Sequence, residues 1–163
     1  MRYLLAIASL FIVFTSCNKS LEQSATREDE LRDGKWKMVA GTQKWDPALG
    51  KDTTVYYYDS LPTCKKDDYL VFGPIQDGQQ YAGEKCDLSE ADAVDFKWYL
   101  EDNGKKINFY NAFQTFLHRE AVTATFIAYG PSEFTIRYME LPANPEAPTK
   151  RDTVTHTYTF RKQ

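Results

Sequence analysis

Histidine and cysteine are scarce in this chain. Its 163 residues include only two histidines, His118 and His156, and three cysteines. Protein zinc sites take three or four such ligands at close spacing, commonly as C-x-x-C pairs. No C-x-x-C pair is present, and both histidines lie far along the chain from the cysteines. We therefore expect no metal site.

The sequence also lacks a recognisable nucleophile with its base. Acyl transfer requires a serine or cysteine, a base within reach and a group that orients the base, and no G-x-S-x-G is present. His156 is the best single candidate for a base, but an inward histidine in a barrel is more often a hydrogen-bonded cavity residue. Asp67 and Asp68 are adjacent, so on a strand they point to opposite faces and do not converge on one substrate atom. We expect no catalysis and no cofactor.

Charge of one sign is not concentrated anywhere in the sequence. The formal net charge is -3, and the longest basic clusters are pairs such as Lys65-Lys66 and Lys105-Lys106. Nucleic-acid-binding surfaces require lysines and arginines clustered on one face. We therefore expect no nucleic-acid partner.

The longest apolar run stands at the N-terminus. Arg2 is followed by an uncharged stretch from Leu4 to Phe14, which leads to Thr15-Ser16-Cys17. About 20 apolar residues are needed to span a bilayer, and this run is shorter. A basic start, a short apolar segment and small residues before a cut are typical of an export signal. Residues 1–16 are therefore predicted to be a signal peptide.

The segment that ends at Cys17 resembles a bacterial lipobox, in which the peptidase cuts before the cysteine and that cysteine is acylated. Phe14 stands where leucine is usual, a looser form familiar in Bacteroidota. The resemblance implies that Cys17 anchors the protein in a membrane, each buried CH₂ contributing about 0.8 kcal/mol. Surface-exported lipoproteins of this group often carry acidic residues next, whereas residues 18–20 are Asn-Lys-Ser. We therefore expect an outer-membrane lipoprotein that faces the periplasm.

The two remaining cysteines, Cys64 and Cys86, form an even pair in an exported chain. Export places them where disulfides persist, so they are predicted to form a bridge. A loop of about 20 residues closed in this way contributes roughly 3 kcal/mol in the chain-entropy treatment. Residues 17–33 have few large apolar side chains and are predicted to be a lipidated flexible tether, with a helical turn allowed near its end. Residues 34–163 are predicted to be one domain.

Short aromatic and β-branched runs separated by turn residues follow Gly34. The clearest, 152–160, alternates threonines with apolar and aromatic residues at period two. Asn103-Gly104 is the strongest hairpin signal in the chain and predicts that 105–110 pairs with 96–101. Residues 111–120 are read as either a short helix or a broken strand, and the three prolines of 141–150 predict a protruding loop. The predicted strands are 35–41, 53–58, 68–72, 79–86, 95–101, 105–110, 121–129, 133–140 and 152–160.

This pattern predicts an all-β fold. About eight antiparallel strands in hairpin order favour a single up-and-down barrel over a Greek-key sandwich. Gly34-Lys35-Trp36 also matches the G-x-W of lipocalins at the start of the first strand. Together with the lipobox, the cysteine pair and a strand that carries Trp98, the chain resembles the lipocalin-like lipoproteins of Bacteroidota from about Asp33 to Phe160.

The resemblance implies a role for Trp36 at the closed end of the barrel. In lipocalins the tryptophan of this motif packs there, often under an arginine from near the end of the domain. Arg161 is the first candidate for that arginine and Arg137 the second. Trp36 would then be a structural plug and not a ligand contact.

Two kinds of binding remain open. One is a small apolar or amphipathic ligand held inside the barrel, although large aromatics that filled the interior would leave no room for it. The predicted inward set is Met38, Phe72, Phe96, Trp98, Phe126, Phe134, Ile136, His156 and Tyr158, of which Phe96, Trp98, Phe126, Phe134, His156 and Tyr158 are the predicted ligand contacts. The other is a non-catalytic interaction module for an envelope protein or glycan. Tyr56-Tyr57-Tyr58 supports it, because a strand there would turn at least one tyrosine outward.

Overall fold

The computed structural model describes residues 24–163, and the predicted signal peptide and Cys17 lie outside the described residues. The elements in chain order are α1 (24–32), β1 (Lys35–Asp46), β2 (Thr53–Val55), α2 (Tyr57–Ser60), α3 (Thr63–Lys66), β3 (Tyr69–Phe72), β4 (Asp77–Tyr81), β5 (Ala93–Glu101), β6 (Lys106–Tyr110), β7 (Ala121–Tyr129), β8 (Glu133–Glu140) and β9 (Thr153–Lys162). No helix within 24–163 is both long enough and apolar enough to cross a membrane.

The sheet closes on itself because β1 pairs with both ends of the strand series. From β3 to β9 each strand pairs antiparallel with the next, and β1 pairs with β3 on one side and with β9 on the other. A bulge between Met38 and Ala40 interrupts the β1–β9 ladder, and bulges bend and twist a strand. The far half of β1 then pairs with the short strand β2. The predicted eight-stranded up-and-down barrel is confirmed, with β2 as an added edge strand.

The two ends of the barrel differ in their connections. The end nearest Trp36, called the closed end below, has the short turns 73–76, 102–105 and 130–132. The opposite end, called the open end, has α2, α3 and the longer segments 82–92, 111–120 and 141–152. The predicted Asn103-Gly104 hairpin is confirmed. Glu101 pairs with Lys106, and both Asn103 and Gly104 in the turn between them have positive φ.

Helix α1 packs across the closed end. Leu31 is fully buried, and the indole Nε1 of Trp36 donates to the Leu31 carbonyl at 2.8 Å. The Arg27 guanidinium lies 4.1 Å from the centroid of the Tyr129 ring and also hydrogen-bonds the Gly104 carbonyl. Residues 24–33 were predicted to belong to the tether, with a helical turn allowed near its end; in the structure they carry the whole of α1, bury Leu31 and close the barrel.

Aromatic rings fill the interior above α1. Phe134 lies 4.9 Å from Trp36 and 5.0 Å from Phe160 between ring centroids, and Phe72 lies 5.0 Å from Trp98. Each large apolar side chain buried in this way contributes about 1.5–3 kcal/mol. The fully buried aromatic residues are Trp36, Phe72, Phe96, Trp98, Phe109, Phe134, Tyr158 and Phe160. These rings fill most of the barrel interior.

Four predicted segments differ from the structure, all at the open end. The strand predicted over 35–41 continues as β1 to Asp46. The strand predicted over 53–58 ends at Val55, and Tyr57–Ser60 is helical because Tyr57 turns down to pack on Tyr158. The strand predicted over 79–86 ends at Tyr81. Residues 111–120 form a series of turns, neither helix nor strand, since the segment inserts buried side chains between the barrel walls.

Candidate functional site

A cavity of about 140 Å³ extends from the open end down to the Trp36 indole. Its floor includes Trp36 and Phe160, and its sides come from β1, β3, β4, α2, α3 and the 111–120 segment. The complete lining is Trp36, Met38, Tyr57, Leu61, Lys65, Asp68, Tyr69, Leu70, Gln80, Gln114, Thr115, Phe116, His118 and Phe160. Most of these side chains are apolar or aromatic, so the cavity favours an apolar occupant.

The 111–120 segment forms one wall of the cavity by inserting Phe116. The Phe116 ring contacts Phe160 and Tyr158 edge-on, with centroid distances of 5.1 Å and 5.3 Å. Its backbone N–H donates to the side-chain oxygen of Gln80 at 2.9 Å. Farther along, Arg119 forms two hydrogen bonds with the Glu140 carboxylate, at 2.6 Å and 2.8 Å. These contacts fasten the segment to β4 and β8, on two sides of the barrel.

The short helices α2 and α3 form the opposite wall. Tyr57 packs edge-on against Tyr158 at 5.7 Å, and Leu61 packs against the core. The predicted Cys64–Cys86 disulfide is confirmed, with the two Cα atoms 5.3 Å apart. It joins α3 to the 82–92 segment, so two of the open-end connections are covalently linked beside the cavity.

A polar wall interrupts the apolar lining where α3 meets β3 and β4. The Gln80 side chain donates to Asp68 Oδ2 at 2.9 Å, and Lys65 Nζ lies 3.7 Å from the same oxygen. The Asp68 side chain is only 10% exposed, and within the described residues its Oδ1 has no hydrogen-bond partner. Burial raises the pKa of the Asp68 carboxyl, against a smaller lowering by Gln80, Lys65 and the backbone N–H of Gly83.

The polar wall separates the cavity from a second, more polar one. That cavity measures about 270 Å³ and shares Lys65, Asp68, Gln80 and Gln114 with the first. Its remaining lining residues are Ala82, Glu90, Ala91 and Val94. We call the two the inner and the outer compartment. The outer compartment lies along the 82–92 segment that carries Cys86.

A third cavity, of about 630 Å³, lies near the closed end and differs in character. Its lining includes Asp77, Gln79, Asp95, Lys97 and Asn111, of which all but Gln79 are exposed. It is thus a polar surface groove beside the 73–76 turn, and its larger volume does not make it the better site for an apolar ligand.

The six predicted ligand contacts do not line the inner compartment. Phe96, Trp98 and Phe134 are fully buried in the aromatic core, and Tyr158 is fully buried against the wall residues Tyr57 and Phe116. Phe126 lies at the closed end, where its ring is 5.1 Å from the Arg27 guanidinium of α1. From the wider predicted inward set, Met38 does reach the cavity wall.

His156 belongs to a buried polar cluster beside the cavity. Its ring stacks on Tyr138 with centroids 4.4 Å apart, Nδ1 lies 3.3 Å from the Tyr158 hydroxyl, and Nε2 lies 3.6 Å from Glu140. Burial lowers the pKa of His156, whereas the hydrogen bond from Arg119 lowers the pKa of Glu140. Burial also raises the pKa of Tyr138 and of Tyr158. The cluster braces β8, β9 and the 111–120 segment. No group of three or more metal-ligating side chains occurs within 24–163.

Neither of the two arginines considered for the closed end covers Trp36. Arg161 and Arg137 are exposed, and Arg161 pairs with Glu133 at 2.8 Å. The cations at the closed end come from α1 instead, where Arg27 lies over Tyr129 and Arg32 is 5.8 Å from the Trp98 ring centroid. Trp36 itself is buried as the resemblance implied, and its indole also forms part of the cavity floor.

The comparisons with known proteins return structural likeness alone. No protein-family model matches the chain, and no curated protein matches it. Among solved structures, it is similar to a lipocalin-like protein from Bacteroides uniformis ATCC 8492, with 14% identity and a TM-score of 0.41 over 82% of this chain and 99% of that one. An uncharacterized protein from Bacteroides eggerthii DSM 20697 gives 14% identity and a TM-score of 0.39 over 80% and 98%. The barrel described above follows from the strand pairing of this chain.

Proposed function

We propose that the protein is a lipid-anchored lipoprotein of the bacterial envelope whose barrel binds a small apolar or amphipathic ligand at its open end. The inner compartment carries this proposal, because it is an apolar cavity with a polar wall. Its volume of about 140 Å³ is close to the roughly 150 Å³ of an apolar cavity known to accept benzene. Drug-sized ligands occupy roughly 300 Å³ or more. The ligand is therefore a single ring or a short chain, and its role is to be bound or carried without chemical change.

Membrane attachment through Cys17 would set the orientation of the barrel relative to the membrane. Helix α1 starts at the closed end, where Ser24 lies beside Gly104. Seven residue steps from Cys17 to Ser24 span at most about 25 Å. The closed end would thus stay near the lipid surface, and the open end would face away from it. With residues 18–20 non-acidic, we propose the periplasmic face of the outer membrane.

Native mass spectrometry tests the binding proposal. The chain from Asn18 onward, which contains every described residue, is purified from an oxidising compartment. We expect a reproducible extra mass that is lost on denaturation, on a chain two hydrogens lighter than its reduced form. Leu61→Trp, at the partly exposed cover of the cavity, should fill the space and remove the extra mass. Leu141→Trp, on the exposed surface outside the cavity, is the matched control.

Attachment and orientation have their own test. Cys17→Ala in the full chain should abolish incorporation of a labelled fatty acid, whereas the unmodified chain should incorporate it. Protease added to intact cells should leave the domain uncut and should remove it only after the outer membrane is opened. Removal from intact cells would place the protein on the outer surface and overturn the periplasmic assignment.

Exposed apolar side chains support a second candidate, an interaction module for an envelope protein or glycan. Tyr56 is 64% exposed and Phe113 66% exposed, and both lie at the open end. Exposed aromatic residues are enriched at protein interfaces. Under this alternative, Tyr56→Ala would weaken binding to the partner and Leu61→Trp would leave it unchanged. If Leu61→Trp abolishes binding and Tyr56→Ala does not, the result favours a small ligand inside the barrel over an interaction module.

A further inference from the structure

We propose that the ligand is an amphipathic amine, with an apolar ring or short chain in the inner compartment and a cationic amino group bound by Asp68. This rests on the proposed function, since it names the ligand class of the same cavity. The starting observation is the Asp68 carboxylate, which lies in the wall shared by the two compartments. A carboxylate in an otherwise apolar cavity selects for what it can bind.

Asp68 is buried with one of its oxygens unsatisfied. Gln80 donates to Oδ2, and the backbone N–H of Gly83 also acts on the carboxylate, but within 24–163 no donor meets Oδ1 with hydrogen-bond geometry, although the side chain is only one-tenth exposed. A buried carboxylate oxygen without a donor is costly, because it has lost water and gained no hydrogen bond. The raised pKa of Asp68 has the same cause. An ammonium group supplies up to three N–H donors and a compensating charge.

The side chains around the polar wall carry more negative than positive charge. Among residues 24–163, Lys65 is the only lysine or arginine that lines either compartment, and it pairs with Glu90 while lying 3.7 Å from Asp68. The neighbouring Asp67 also has a buried oxygen without a partner among the described residues. Among the described residues that line the two compartments, one lysine therefore stands against two carboxylates, Asp68 and Glu90. This balance attracts a cationic head and repels an anionic one, by the Coulomb energy of charges a few ångströms apart in a partly desolvated site.

The two compartments match the two parts of such a molecule. The inner compartment has the size of one aromatic ring, and the outer compartment offers about 270 Å³ beyond the polar wall. A head attached by one or two carbons to a ring in the inner compartment would reach Asp68. Gln80 is already engaged at both ends, donating to Asp68 and accepting from Phe116 N–H. It therefore holds the carboxylate in place and leaves Oδ1 for the ligand.

Three probes with the same ring and different heads test the proposal: 2-phenylethylammonium, 2-phenylethanol and phenylacetate. Calorimetric titration into the chain from Asn18 onward, at pH 7 and low salt, measures each affinity. We expect the amine to bind about tenfold more tightly than the alcohol, as a charged hydrogen bond adds to the shared apolar contact. Phenylacetate should bind most weakly. High salt should narrow these differences.

Substitution of Asp68 gives the sharper result. Asp68→Asn should cut the affinity for the amine to that of the alcohol and leave the alcohol unchanged. Asp95→Asn is the matched control, because Asp95 accepts from Gln79 at 2.8 Å in a similar pair on the outer face of the barrel. It should change none of the three affinities. Near-ultraviolet circular dichroism of both variants checks the fold.

The outcomes separate the head-group inference from the binding proposal. If the three probes bind equally well, or phenylacetate binds best, the amine assignment is wrong and the cavity still binds small apolar molecules. If none binds at millimolar concentration, the proposed function fails with it. The comparison of probes on the unmodified chain decides the question even if Asp68→Asn does not fold.

Discussion

The closed and open ends of the barrel differ in how tightly they are packed. At the closed end, short turns and α1 seal a core in which Trp36, Leu31 and Phe134 are fully buried. At the open end, long segments enclose a cavity whose wall holds the unsatisfied carboxylate of Asp68. The first arrangement maximises packing and the second sacrifices some of it. Stability is therefore concentrated at one end and binding at the other, as expected when a rigid scaffold carries variable loops.

The largest effect should come from truncating the plug of the closed end. Trp36→Ala removes a fully buried indole, its hydrogen bond to Leu31 and its contact with Phe134. We expect a loss of about 3–5 kcal/mol in the free energy of unfolding, measured by urea denaturation. Trp45→Ala, on the same strand but 41% exposed, is the control and should cost less than about 1 kcal/mol. Equal losses would contradict the contrast between the two ends.

Phe116→Ala should separate stability from binding at the open end. The ring is largely buried against Tyr158 and Phe160, so its loss should cost about 3 kcal/mol, at the low end for a phenylalanine because the segment can relax. The enlarged cavity should then accept a two-ring probe such as naphthylmethylammonium, which the unmodified chain excludes. Phe113→Ala, in the same segment but exposed, should change neither property. Uptake of the two-ring probe by the unmodified chain would show that the cavity is larger than described.

The disulfide should stabilise the open end by a similar or smaller amount. Replacing both Cys64 and Cys86 with serine frees a loop of 22 residues in the unfolded chain, which should cost about 3 kcal/mol. Because the bridge ties α3 to the 82–92 segment, the replacement should also weaken ligand binding. Calorimetry and urea denaturation measure the two effects. A reducing agent should reproduce both in the unmodified chain and neither in the double variant.

The smallest expected effect is a change in the pH dependence of stability at the polar wall. Burial raises the pKa of Asp68 above its unfolded value, so its contribution to stability is fully present below the unfolded pKa and is lost as the pH rises through the folded pKa. Asp68→Asn should therefore have a smaller loss of stability than the unmodified chain as the pH rises from about 4 toward neutrality. Lys65, Asp67 and Glu90 are the charged groups nearest to this site. If the free energy of unfolding depends on pH in the same way in both chains, the pKa of Asp68 is not raised.

The sequence predicted the barrel well where strands are long and regular. The alternation of 152–160 and the Asn103-Gly104 turn correspond to β9 and to the β5–β6 hairpin. Helix α1 was missed because Leu31 is the only large apolar residue of 24–33, so the segment reads as polar although that one side chain closes the barrel. Tyr57 was misassigned because tyrosine favours strands, and its packing on Tyr158 is a tertiary contact.

The cavity could not be predicted in the same way. Its walls come from four segments far apart in sequence, and their convergence depends on how the 111–120 segment folds inward. One signal was nevertheless present in β4, where Gln80 lies directly opposite the inward Leu70 and therefore faces the interior. An inward glutamine on a barrel strand indicates either a polar network or a ligand. The aromatic residues chosen from the alternation pattern pack deeper, because large rings fill the narrow part of the barrel.

The most direct test of the division between the two ends is an NMR titration. Backbone amide signals of the chain from Asn18 onward are followed while 2-phenylethylammonium is added. We expect shifts centred on the residues that line the inner compartment, in β1, α2, α3, β3, β4, the 111–120 segment and β9, with saturation at one equivalent. Signals of α1 and the 73–76, 102–105 and 130–132 turns should stay in place. Shifts centred on those closed-end residues, or none at saturating probe, would contradict a binding site at the open end.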